Sequence, residues 1–87
     1  MYFDTKPWYD ALEKAEQYDW KGAMDIWIGL LDSKDILKRS CAAFNISVAC
    51  YMLGDYALAS EWLDRSDADN KIPISDAMRK RIDARLK

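Results

Sequence analysis

The stretch YMLGDYALASEWLDRS, residues 51–66, decides the fold. Gly54 breaks a run of apolar residues, and a glycine just past a helix readily adopts positive φ. Asp55 is suited to cap a following helix, because its carboxylate can accept orphan backbone N–H groups. Tyr56, Ala59, Trp62 and Leu63 then recur at helical spacing and form one stripe. The segment therefore reads as helix, tight turn, helix.

The same arrangement recurs upstream at an offset of 36 residues. Trp8 corresponds to Phe44, Leu12 to Val48, Asp19 to Asp55 and Trp20 to Tyr56. Ala23 corresponds to Ala59, Ile26 to Trp62 and Trp27 to Leu63. Large residues fall opposite large ones, alanines coincide, and the turn aspartate returns. One helix pair cannot hide both of its apolar sides, so stacking a second pair buries the shared side. Alanine at the repeated small position suits helix axes that approach to about 8–10 Å.

Helical patterning fills the rest of the chain. The first helix is expected from Thr5 or Lys6, with Thr5 as cap, Pro7 in the opening turn, and Trp8, Ala11, Leu12, Ala15 and Tyr18 on one side. The second follows Asp19 and carries Ala23, Ile26, Trp27, Leu30 and Leu31. Gly22 lies early in it, where glycine costs about 1 kcal/mol relative to alanine, which suggests close approach of a neighbouring helix. After DSKD at residues 32–35 comes a long helix from Ile36 to Leu53, apolar on more than one face and hence central. DADNKIP, residues 67–73, gives a strong turn signal. A last helix starts near Ile74 or Ser75, with Ile74, Met78, Ile82 and Leu86 spaced by four. The expected fold is all-α: five helices, as two antiparallel hairpin repeats (about 6–32 and 36–67) and a capping helix (about 74–86), in one domain over residues 1–87.

Composition narrows the function classes. The 87 residues are 51% hydrophobic and 32% charged, an ordinary balance for a small folded domain. The net charge of −2 argues against nucleic acid as a partner. The one basic concentration, residues 71–87, reads as a helix with a solvated face. Cys41 and Cys50 sit nine positions apart on one helix, too far along its axis to pair, and read as small apolar fillers. No run is long enough to insert in a membrane. Histidine is absent, no glycine-rich phosphate loop occurs, and no serine or cysteine has a recognisable base partner. No catalysis, metal or cofactor is expected.

The segment NISVACYMLGDYALASEWL, residues 45–63, resembles a tetratricopeptide repeat in Gly54-Asp55-Tyr56, Ala59 and Leu63. The first copy matches in Asp19-Trp20, Ala23 and Trp27, with Tyr18 in place of the turn glycine. WKGAMDIW (20–27) together with AFNISVACYMLGDYALASEWLDRS (43–66) is similar to the C-terminal part of the DUF6340 family, typically lipoproteins of Bacteroidetes. That likeness implies a cell-envelope location and a chain that lacks an N-terminal part with its lipid anchor. The repeat resemblance implies a concave face that holds a peptide or partner protein, lined by Trp8, Leu12, Cys41, Phe44, Asn45, Val48, Tyr51 and Met52. The alternative is a structural unit that completes a larger envelope protein, its groove filled by the missing part of that parent or plugged by the last helix. Asn45, mid-helix among apolar neighbours, is expected to bond a neighbouring backbone or to face a ligand. The carboxylate clamp known from such repeats does not follow, because Trp8 and Leu12 replace its lysine and asparagine.

Overall fold

The computed structural model describes residues 6–86, and the side chains of all of these except Lys6, Pro7, Trp8, Tyr9 and Leu12. Five helices run in order: α1 (Lys6–Glu16), α2 (Trp20–Gly29), α3 (Ile36–Met52), α4 (Tyr56–Asn70) and α5 (Ser75–Leu86). No strand occurs among the described residues. Each helix packs on its neighbour in sequence, and α5 also touches α3. The resulting body is flat, 42 × 28 × 18 Å.

Both hairpin turns have the same construction, 36 residues apart. Gly54, at φ 87°, donates its N–H to the Tyr51 carbonyl at 3.0 Å, and Asp55 donates to the Cys50 carbonyl at 2.9 Å. Upstream, Tyr18, at φ 61°, donates to Ala15 at 2.9 Å, and Asp19 donates to Lys14 at 2.8 Å. These paired bonds close a helix through a left-handed residue and satisfy its last carbonyls. The aspartate that ends one helix then starts the next. Asp19 accepts from the Gly22 N–H at 2.9 Å, and Asp55 accepts from the Leu58 N–H at 3.1 Å. Tyr18 therefore belongs to the turn: it is 81% exposed and does not extend the apolar side of α1.

The second hairpin is tied through small residues. Ser47 donates its hydroxyl to the Ala59 carbonyl at 2.7 Å. Two turns away, Ser66 donates to the Ser40 carbonyl at 2.9 Å. Ser40, Ser47, Ala59 and Ser66 are all fully buried. By the same antiparallel pairing, Ala11 falls opposite Ala23 in the first hairpin, and both are fully buried. Around these crossings lie Trp27, Ile46, Leu63, Met78 and Ile82. Trp27 is 3% exposed, and its indole N–H has no hydrogen-bond partner among the described residues. An unmet donor costs about 1–3 kcal/mol, against which stands the large apolar area the ring buries.

Several boundaries differ from the sequence reading. α2 stops at Gly29, because Leu30 and Leu31 donate to carbonyls three residues back and tighten the turn. α3 ends at Met52, with Leu53 as its cap. α4 runs to Asn70, through most of the expected turn. Its last turn is held from outside: the Ser40 hydroxyl reaches the Ser66 and Asn70 carbonyls, and Arg39 reaches Asp69. At Gly22 the nearest obstacle to a Cβ is the capping Asp19 carboxylate, 2.4 Å away, and not a neighbouring helix. Of the spaced-by-four set only Met78 and Ile82 are buried, while Ile74, just before α5, and Leu86, at its end, are exposed. Spacing by four turns about 40° per step, so the ends of such a set rotate off the core. Thr5, expected to cap α1, lies outside the described residues.

Two pairs of substitutions test this account. Tyr18→Gly relieves a left-handed non-glycine residue and should stabilise by about 0.5–1 kcal/mol, whereas Gly54→Ala, with nothing near its Cβ, should cost about 1 kcal/mol. Ala59→Leu should cost about 1–3 kcal/mol by overpacking the crossing, and Ser47→Ala at most about 1 kcal/mol. Urea unfolding measures all four; equal losses at Ser47 and Ala59 would mean that the hydroxyl, not the close approach, matters.

Candidate functional site

α3 divides cleanly along its length. Ser40, Ala42, Ala43, Ile46, Ser47, Ala49 and Cys50 are buried against α2, α4 and α5. Cys41, Phe44, Asn45, Val48 and Tyr51 are half-buried and Met52 is exposed. The six described candidate residues thus share the accessible strip of α3. The side chains of the other two, Trp8 and Leu12, lie outside the described residues.

The strip is not uniform. Phe44 and Val48 form one wall of an open cleft of ≈ 260 Å³, whose opposite wall is Ile74, just before α5, and Ala77, Met78 and Arg81 of α5. One turn further along, α5 closes over the strip. The Arg85 Nε donates to the Tyr51 hydroxyl at 3.4 Å, and its guanidinium lies 5.9 Å from the Tyr56 ring centre. Tyr51 and Tyr56 meet edge to face at 5.3 Å. Asn45 makes no side-chain hydrogen bond among the described residues, so the expected bond to a neighbouring backbone is not made. Its half-exposed position leaves the amide open to solvent, and no protein partner is required.

α5 is positioned by charge from its other side. Arg79 donates to Asp64 at 2.7 Å and to Asp67 at 3.2 Å, and Asp67 also accepts from the Ser75 hydroxyl. Burial draws the Arg79 pKa down, but the two carboxylates raise it overall, so the guanidinium stays charged. Lys71 and Asp76 pair at 2.8 Å where the chain enters α5, which lifts the lysine pKa and lowers that of the aspartate.

A second hollow, ≈ 290 Å³, lies among Leu31, Arg39, Ala43, Arg65, Ala68 and Asp69. Its charges are largely answered within the chain. Arg39 donates to the Ser33 carbonyl at 3.0 Å and pairs with Asp69 at 3.5 Å, and Arg65 stacks 4.2 Å over Trp62.

Sequence reading found the α3 wall of the first cleft and missed the α5 wall. Ile74 and Met78 stood out in the sequence, but as core residues; Ala77 and Arg81 gave no local signal. No group of three or more His, Cys, Asp or Glu side chains is arranged to hold a metal among the described residues. No helix among them is long and apolar enough to cross a membrane. Both thiols have raised pKa values, through burial first and then through Asp35 at Cys41 and Asp55 at Cys50. A raised pKa leaves less thiolate at neutral pH. Iodoacetamide should therefore label Cys41 more slowly than free cysteine, faster as pH rises, and should reach buried Cys50 only on unfolding. Equal labelling rates for the two by mass spectrometry would contradict this placement.

No curated protein and no solved structure matches the chain. The family model for DUF6340, a domain of unknown function, matches residues 9–84, nearly the whole chain. The chain belongs to the DUF6340 family.

Proposed function

We propose that the chain is a non-catalytic, tetratricopeptide-like repeat module that binds a peptide segment or partner protein along the accessible strip of α3. The open cleft between Phe44 and Val48 on one side and α5 on the other carries this reading. Its volume of ≈ 260 Å³ lies below the range of about 300–1,000 Å³ typical of small-molecule pockets. It suits one or two inserted side chains of a longer ligand. The two identical turns and the repeated small crossings support the repeat assignment. α5 would stand where a third repeat places its first helix, since Met78 and Ile82 follow Ala42 and Ile46 at the same 36-residue offset.

A second reading draws on the Arg85 contact with Tyr51 and Tyr56, which covers the far end of the strip. In that reading α5 is a built-in plug, and the module is a structural part of a cell-envelope lipoprotein with no separate ligand. A displayed random-peptide library separates the two. The intact chain should enrich a family of related sequences, and Phe44→Asp should lose them. Because Phe44 packs half-buried against the core, the variant's melt must show it folded at the selection temperature. Ile74→Asp, at a 58% exposed residue of the same cleft, should lose them too. Failure to enrich any sequence, or equal enrichment by all three proteins, would favour the plug.

A further inference from the structure

The cleft between α3 and α5 carries a charge asymmetry that its volume and apolar walls do not require. α3 has no acidic residue from Ile36 to Met52. α5 has two, Asp76 and Asp83, and helical geometry turns both of them nearly opposite to the side that bears Ile74, Ala77, Arg81 and Arg85. Asp76 is moreover engaged by Lys71. Arg79 is matched by Asp64 and Asp67 and Arg39 by Asp69, whereas Lys80, about 100° around α5 from Arg81 and away from the cleft, has no ion pair among the described residues. Arg81, at the lip of the cleft, has no ion-pair partner among the described residues, and Arg85 meets only tyrosines. A chain with a net charge of −2 has thus kept its carboxylates off one apolar cleft and left an unmatched guanidinium beside it.

We propose that this cleft takes a bulky apolar side chain of an acidic peptide segment, whose neighbouring carboxylate meets Arg81. The proposal rests on the peptide-binding reading above and names the chemistry of the ligand. The apolar anchor enters between Phe44, Val48 and Ile74, where it removes exposed apolar surface from water. Arg81 offers planar, paired donors to a carboxylate, and the absence of acids around the cleft rejects basic segments by leaving their cations unmatched. The carboxylate is that of a side chain, so a free C-terminus is not needed.

The test uses three fluorescein-labelled pools of amidated peptides with a degenerate Phe, Leu, Ile or Trp centre, flanked by Asp/Glu, by Ser/Gly or by Lys. Fluorescence anisotropy at low and at physiological salt should rank the acidic pool above the neutral one and the basic pool last. Arg81→Gln should weaken the acidic pool by about fivefold, the upper end for an exposed ion pair, and leave the neutral pool unchanged. Arg81→Glu should reverse the order of the acidic and basic pools. Lys80→Glu, an equal change of net charge about 100° around the helix, should leave the order as it was. Equal binding of all three pools, or an acidic preference that survives Arg81→Glu, overturns the proposed ligand chemistry while leaving peptide binding intact. Binding of no pool, or binding indifferent to Phe44→Asp, overturns the peptide-binding reading itself.

Discussion

Everything in this molecule is arranged around how closely α3 and α4 approach. Side chains at that crossing are reduced to serine and alanine, and the hydroxyls of Ser40, Ser47 and Ser66 bond backbone carbonyls of the facing helix. A serine hydroxyl on a neighbouring helix's carbonyl shares an acceptor already used within that helix, so the bond adds little strength by itself. Its value lies in filling the narrow gap without leaving a buried hydroxyl unmet. With the gap closed there, larger residues such as Ile46, Leu63 and Trp27 occupy the wider spaces on either side. The accessible strip of α3 is what remains once these sides are taken.

The same logic explains how α5 is seated. Its inner residues Met78 and Ile82 complete the apolar layer, and Arg79 fastens one edge to the acids of α4. An ion pair of this kind is partly solvated and weak in isolation, so burial of Met78 and Ile82 sets the helix's rotation and the Arg79 pairing agrees with it. That rotation decides which residues face α3, and so gives the cleft its arginine and withholds its aspartates.

Local chemistry made most of the helices legible in the sequence. Asp19 and Asp55 announced two helix starts, Gly54 an end, and the 36-residue offset the duplication. What escaped reading was set by contacts distant in the chain. Residues 67–70 have turn-like composition, yet remain helical because Ser40 and Arg39, some thirty positions earlier, hold them. Gly22 looked like a point of helix contact, whereas what a Cβ there would meet first is the cap three residues before it. For the candidate site, the strip on α3 followed from its periodicity. The α5 wall did not, because the Ile74, Met78 and Ile82 spacing marks the inner side of α5 without saying that Ala77 and Arg81, at its edge, line a cleft against α3.

One residue at each hairpin serves both helices: Asp19 and Asp55 each finish the bonding of the helix behind and begin that of the helix ahead. Such a joint has no slack. A single inserted residue would swing the following helix by about 100° around its own axis, carrying Ala59 away from Ser47 and presenting a large side chain in its stead. Chain length through these bends is therefore as constrained as the composition of the interior, and a lineage could lengthen this scaffold only by whole hairpins or between them.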